Sequence, residues 1–310
     1  MKTYLFLIFF FPGFAGFAQK GEDLLVYSVN GDVMVVENKQ ESVVKIGKVL
    51  RQESTLQTKK GSKLTMVCRQ GKALSVINEG SYPMTHWRDS CKVSQQSLTS
   101  GYFQYVWSEL YVRSPEHKRR VKDGEEQEMV TNAAPFRFEM GPDLDIGIRV
   151  EHALDTVNYT IGEFALSWTE FDFPGKHIFM LYQARDGKLI YRKSSSATSV
   201  RLSDLKNLLR PGNSYQWLIA LKDSGNGQRR LLNCLPFASV KRYIETIRNN
   251  INVPEDDAAQ FFHIAWLLEN SHYLADAFFY YQKAAIAAPD IELYRDKLAA
   301  FKKIFLISKE

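Results

Sequence analysis

With 310 residues the chain exceeds one ordinary domain and leaves room for two or three. An apolar fraction of 45% and an aromatic fraction of 13% are enough to bury real cores. The net charge of +5 is modest and acids are interspersed with bases, which excludes the basic footprint of a nucleic-acid binder.

The first residues have the form of a secretory leader. Lys2 supplies a positive end, Tyr4 to Phe11 an apolar stretch, Pro12-Gly13 a break, and Gly16-Phe17-Ala18 a small-residue cleavage site. The apolar run falls short of the ~20 residues a membrane-spanning helix needs. The expectation is a signal peptide over 1–18, cut near Ala18-Gln19. No Cys follows to carry a lipid, and the mature chain, periplasmic or extracellular, has no integral membrane span. Three cysteines fit export without a disulfide framework. Cys68 alternates with Leu64 and Met66, so it reads as a small apolar side chain in a core. A Cys68–Cys91 bridge is the competing reading, and the leftover Cys234 counts against it.

Residues 22–88 read as short strands: Leu25-Val26-Tyr27, Val33 to Val36, Val43 to Ile46, Leu64 to Cys68 and Leu74 to Ile77. Asn30-Gly31, Gly47, Gly61 and Gly71 punctuate them as hairpins and tight turns, which predicts a small β-sandwich. Asn30-Gly31-Asp32-Val33, Ile46-Gly47-Lys48-Val49-Leu50, Ser54 to Thr58, Gly61-Ser62 and Gly71 with Leu74 and Val76 resemble the FecR-like domain pattern over about sixty residues. Those positions are structural, so the resemblance implies a fold and no site.

Residues 89–132 read as a helix followed by a charged linker. Phe103, Val106, Trp107 and Leu110 recur at helical spacing, and such an aromatic stripe is core rather than a ligand platform. Beyond Ser114-Pro115, His117-Lys118-Arg119-Arg120 meets Glu125, Glu126 and Glu128. That mixture predicts a solvated, charge-balanced segment rather than a partner patch.

Residues 133–234 return to β patterning. Phe164, Leu166 and Trp168 share one face, and Asp186-Gly187 between two apolar runs marks a hairpin. Leu209-Arg210-Pro211-Gly212-Asn213-Ser214-Tyr215-Gln216-Trp217 resembles the tyrosine corner of fibronectin type III and other immunoglobulin-like sandwiches. The resemblance implies that the Tyr215 hydroxyl bonds back to upstream backbone and that Trp168 is a core residue of the facing sheet.

Residues 236–310 switch to a period of 3.6. Phe237, Val240, Ile244 and Ile247 make one stripe, and Asn252 to Asp257 opens the next helix with Pro254 and acids at its positive end. Phe261, Ile264, Ala265 and Leu268, then Ala277, Tyr281, Ala284 and Pro289, resemble one tetratricopeptide repeat. Tyr294, Leu298, Phe301 and Phe305 make a capping helix with Lys302, Lys303 and Lys309 on its far face. A single repeat predicts a compact helical end rather than a long groove.

No nucleophile, phosphate-loop or zinc motif occurs. His86, His117, His152, His177, His263 and His272 are scattered, and the nine-residue spacing of the last two, both placed on helices, puts no ligand pair on one face. Asp143 and Asp145 before Gly147 lack the further oxygens of a calcium loop. Asp256 and Asp257 diverge on a helix and are explained by the helix start. Asn158-Tyr159-Thr160 has the form of an N-glycosylation acceptor, which is without meaning in a typical bacterium.

The sequence therefore predicts a multidomain chain, β then α. It would comprise a small FecR-like β-sandwich, an immunoglobulin-like β-sandwich and a C-terminal antiparallel, tetratricopeptide-like helical bundle. No catalytic, cofactor-binding or metal residues and no cofactor are expected. The expected activity is that of an exported, non-enzymatic scaffold or adaptor of a bacterial envelope, binding another envelope protein or a peptide at the helical end or an exposed sheet edge. The alternatives are a periplasmic signal-receiving protein of the FecR-like regulator type and, last, an enzyme with a glycan-directed site.

Overall fold

The computed structural model describes residues 24–87, 90–91, 97–127, 148–150, 154–160, 162–170, 176–220 and 227–305. The leader over 1–18, His152, Asp143, Asp145 and Lys309 lie outside them. Antiparallel β-sheets come first and helices dominate the C-terminal part, as the coarse β-then-α expectation has it.

The first unit packs two four-stranded antiparallel sheets. One runs β4 (Val49–Leu50), β1 (Leu24–Asn30), β6 (Lys63–Val67), β7 (Ala73–Val76). The other runs β3 (Gln40–Val43), β2 (Val33–Glu37), β5 (Thr55–Thr58), β8 (Gly80–Pro83). Alternation puts Leu24 and Val26 into the core between the sheets with Val33, Val35, Leu56, Leu64 and Met66, while Leu25 and Tyr27 point the other way. β1 is buried on both faces because a helix covers its outer side.

Several boundaries differ from expectation. Asn30-Gly31 is a crossover between sheets, since β1 pairs with β4 and β6 whereas β2 pairs with β3 and β5. The tight hairpin is β2–β3, turned by Asn38 and Lys39, both at positive φ. The strand expected at Val43 to Ile46 lies earlier, at Gln40–Val43, and Val44 dips into the core as the chain crosses to β4. Cys68 and Cys91 form a disulfide, which corrects the reading of Cys68 as a free apolar side chain. The odd cysteine, Cys234, is simply a buried thiol at the end of a strand in the second unit.

Two helices follow. α1 (Leu98–Arg113) opens on a reciprocal cap in which the Ser100 N–H donates to Ser97 Oγ and the Ser97 N–H to Ser100 Oγ. Its Phe103, Val106, Trp107 and Leu110 are all buried, as the stripe predicted. Gly71 lies against this helix at φ +85, and a Cβ there would stand 2.1 Å from the Ser100 carbonyl oxygen. The charged stretch is not a solvated linker but a second helix, α2 (Pro115–Lys122). Ser114 caps it by accepting from the His117 N–H, and Pro115 takes the first position, where no N–H is needed. The opposite charges meet each other: Glu116 pairs with Arg51, Arg119 and Arg120, and Glu126 with His117 and Arg120.

The second β unit has a five-stranded sheet, β10 (Thr156–Tyr159), β17 (Arg230–Cys234), β16 (Ser214–Ala220), β13 (His177–Gln183), β14 (Leu189–Ser195), antiparallel except for the β10–β17 pair. Two short pairs accompany it, β11 (Ala165–Ser167) with β15 (Ser199–Arg201) and β9 (Ile148–Arg149) with β12 (Thr169–Glu170). Trp168 stacks on Phe179 and Phe179 on Trp217, so the small sheet packs on the large one as expected. The Tyr215 hydroxyl donates to the Leu208 carbonyl at 3.1 Å and accepts from the Arg210 N–H at 2.9 Å, the expected back-bond. Asp186-Gly187 turns β13 into β14 with Gly187 at φ +68.

The helical part comprises α3 (Phe237–Asn250), α4 (Asp257–Asn270), α5 (Leu274–Ala287) and α6 (Glu292–Ile304). Ala265, Ala277 and Ala284 are fully buried, which lets the α4 and α5 backbones approach closely. Phe237 is exposed although it begins the α3 stripe. Lys297 of α6 is buried and paired with Glu269.

These parts share one core rather than hanging on linkers. α1 is held between β1 and α4: Tyr27 packs on Phe103, and Tyr102 stacks on His263 with centroids 3.8 Å apart. The same apolar cluster continues through Phe262 and Phe301 to Phe164 and Trp217 of the second β unit. The outer edge of β10 is taken up by the α4–α5 turn, the Asn158 N–H donating to the His272 carbonyl at 2.8 Å.

Candidate functional site

Among the described residues the packing leaves a sizeable cleft where three distant stretches of chain converge. The first wall is the β2–β3 hairpin with the connection from Lys45 to Arg51. The second is the α1–α2 junction, from Leu110 to Lys118, and the third is the α5–α6 turn, from Asp290 to Leu293. The cleft holds about 600 Å³ and is open to solvent on one side, in the range of ligand sites. Ile46, Val49, Leu110, Ile291 and Leu293 give it an apolar lining, and Val43 stands at its mouth, 61% exposed.

Ion pairs link the elements around the cleft. Lys48 donates to Glu37 at 2.8 Å and Ser54 to the other oxygen of the same carboxylate at 2.9 Å. Burial would raise the Glu37 carboxyl, but those hydrogen bonds and the nearby Arg51 charge outweigh it and hold the group below its ordinary value. Burial likewise opposes ionisation of Glu116, yet hydrogen bonds from Arg119, Arg51 and Arg120 bring it down to about 2. Arg51, from the first β unit, thereby ties β4 to the head of α2 across the cleft. Arg113 is anchored to Glu109 and reaches Asp296 of α6 at 3.1 Å. Among the charged lining residues, Glu37 is thus engaged with Lys48 and Glu116 with Arg51.

A second polar cluster lies inside the fold. Glu255 accepts from the Tyr27 hydroxyl and faces His263 Nδ1, both at 2.9 Å, and the Tyr27 and Tyr102 hydroxyls are 2.8 Å apart. The Glu255 and His263 side chains are each 1% exposed, so no solute reaches them. Burial, then the Glu255 charge, raises both tyrosines well above their ordinary value. This cluster fastens the first β unit to the helical end. Ser28 assists by donating to Asp256, the residue that caps α4 through the Ala259 N–H.

The described histidines and acids among those weighed in the sequence do not converge. His86 lies against Trp87, His117 is buried against Glu126, His177 is buried in β13, and His272 sits in the α4–α5 turn rather than on a helix. Asp256 is the α4 cap and Asp257 belongs to its first turn, so their explanation by the helix start holds. Among the described residues no group of three or more His, Cys, Asp or Glu side chains could hold a metal. Asn158 is engaged on both sides, its amide donating to the Ser271 carbonyl and its oxygen accepting from Asn233.

The stripe of α1 is core, since Phe103, Val106, Trp107 and Leu110 are all buried, and the neighbouring Tyr105 lies against Phe262 and Trp266 of α4. What α5 still exposes is Phe279 and Ile286, with Lys283 over the Phe279 ring. The cleft itself was not legible in the sequence, because its walls come from stretches as far apart as Glu37 and Leu293. Its single local signal is the polar strand before Val44, which reads as a loop.

No protein-family model matches the chain, and no curated protein matches its sequence. No helix among the described residues is long and apolar enough to cross a membrane.

Proposed function

We propose that the protein is an exported, non-enzymatic adaptor or scaffold of a cell envelope, which receives another envelope protein or a peptide at the cleft between the first β unit, the α1–α2 junction and the α5–α6 turn. The observation that carries this reading is the cleft: apolar within, charged at its rim, and flanked by Arg51 and Arg113, whose ion pairs link the elements around it. Export is supported by the leader-like first residues and by the Cys68–Cys91 disulfide, a bond that persists in oxidising compartments.

The finer assignments belong to the same reading. The first unit is FecR-like by its glycine pattern. The second is immunoglobulin-like, supported by the Tyr215 back-bond and by the order of its five-stranded sheet. The α4–α5 pair is tetratricopeptide-like, supported by the buried alanines. An enzyme acting on glycans would need one carboxyl held protonated beside an ionised one. In the cleft, Glu37 and Glu116 are both held ionised by basic partners, which favours binding over acid–base chemistry.

Deleting the helical end cannot test this, because it would strip the cover from α1. The test is a pull-down from envelope extract with three full-length chains: wild type, Val43→Trp, which fills the mouth of the cleft, and Phe279→Ser with Ile286→Ser. The reading expects a partner recovered by the wild type and the helix variant but lost with Val43→Trp. Equal recovery by Val43→Trp overturns it.

A further inference from the structure

The outer edge of β3 sets what kind of partner the cleft receives. β3 is the terminal strand of its sheet, and all four of its residues are exposed. The Val44 N–H donates to the Val33 carbonyl at 2.9 Å, which fixes Val33–Val44 as a hydrogen-bonded pair of the ladder. With the register Met34↔Val43, Val35↔Ser42, Val36↔Glu41, the alternation makes Ser42 a bonded position and leaves Glu41 and Val43 at the non-bonded ones. The N–H and C=O groups of Glu41 and Val43 therefore point away from β2, where the sheet has no further strand among the described residues.

Four other sheet ends are guarded, whereas β7 (Ala73–Val76) is an edge that lies away from the cleft lining. The α4–α5 turn occupies β10, Arg192 and Lys193 stand on β14, β8 closes with Pro83, and β4 is only two residues long. β3 carries no Lys, Pro or bulge, and its last residue, Val43, lies at the mouth of the cleft.

We propose that β3 is a strand-addition site, at which an extended segment of a partner protein pairs antiparallel with Gln40–Val43 and enters the cleft past Val43. This rests on the adaptor reading above and specifies its ligand. Glu41 and Val43 each exchange two main-chain hydrogen bonds with the residue opposite, which supplies affinity without regard to sequence. Side chains supply the selection. Glu41 and Val43 project to the same face as Met34 and Val36. An apolar residue opposite Val43 extends the apolar lining, and a Lys or Arg opposite Glu41 meets its exposed carboxylate. Read in the direction of an antiparallel partner, the preferred segment is apolar–x–basic.

The test pans a library of displayed seven-residue peptides on the full chain, then measures binding of one selected synthetic peptide. The selected sequences are expected to share apolar–x–basic, and Glu41→Lys is expected to turn the preference from basic to acidic. Methylating the peptide nitrogen opposite Val43 removes one main-chain donor and leaves the protein untouched, so folding is not in question. About a tenfold loss of affinity is expected, as for one buried hydrogen bond left unmade. Glu41→Pro, which removes an outward N–H without changing the cleft lining, is expected to lose binding to a similar extent. An unenriched library, methylation that leaves affinity within about twofold, or β3 pairing with a second copy of this chain would each overturn the proposal. If a partner is lost with Val43→Trp but kept with Glu41→Pro, the cleft docks it and strand addition fails. If both variants keep it, the adaptor reading fails too.

Discussion

Lys297→Met tests how the helical end is held together. The Lys297 ammonium sits 3.0 Å from Glu269 Oε2, with side-chain exposures of 1% and 5%. It lies over the Tyr281 and Tyr105 rings at 5.4 and 6.0 Å, and the Tyr281 hydroxyl donates to the same carboxylate. Methionine reproduces the lysine stem, so little packing is lost. What it removes is the counter-charge of a buried carboxylate, which costs about 3–5 kcal/mol. Glu269→Gln alone leaves the ammonium facing a neutral amide and costs about 2 kcal/mol, in the range of lost hydrogen bonds to charged groups. The double variant has no buried charge, and the side-chain amide oxygen that Glu269→Gln introduces can still accept from Tyr281. It is expected to lie within about 1–2 kcal/mol of wild type, because replacing both partners of a buried pair is far cheaper than removing one. Urea unfolding, followed by tryptophan fluorescence and far-ultraviolet dichroism together, measures all four corners of the cycle. A Lys297→Met cost below about 1 kcal/mol, or effects that add within about 0.5 kcal/mol, would refute the reasoning.

Asp276 gives a pH signature to the junction between the second β unit and α5. Burial raises its carboxyl from 3.8 to about 6, against a hydrogen bond from Thr160. The fold thus prefers the protonated form, so the contribution is full below the unfolded value and lost as pH rises through about 6. The shift sets a ceiling of about 3 kcal/mol; partial exposure and the nearby α5 N-terminus reduce it to about 1–2 kcal/mol. Asp276→Asn should flatten thermal stability between pH 4 and 8, and a wild-type profile already flat there contradicts the assignment. Alkylation of the denatured, unreduced chain should label Cys234 alone, and Cys68→Ser with Cys91→Ser should cost about 3 kcal/mol for a loop of 23 residues. Tyr215→Phe should lower stability by about 1–3 kcal/mol in urea, since it leaves the Leu208 carbonyl and the Arg210 N–H without their partner.

Much of the helical architecture was legible because a period of 3.6 survives where packing is dense, as in Phe103 to Leu110 and Ile264 to Leu268. The Tyr215 back-bond was legible because the corner is a local device. The β2–β3 hairpin was not, since Asn38-Lys39 turns without a glycine and β3 carries three polar residues beside one valine. The apolar run Val43 to Ile46 drew the strand too far forward, although it is apolar because it crosses the sandwich edge. α2 was hidden by its composition: its charges balance one another in space, which a linear reading takes for solvation. The pairing of Lys297 with Glu269, 28 residues away on another helix, has no local signal in the sequence. The cleft needs the first β unit, α2 and α6 at once, and no local pattern encodes their meeting.

The most direct measurement places a photo-activated p-benzoylphenylalanine at Lys118, on the cleft rim, and in a second chain at Ile286, on the exposed face of α5. Irradiation in the intact envelope is expected to give a discrete cross-linked partner from position 118 and none from position 286. An adduct from 286 alone, or none from 118, contradicts the account.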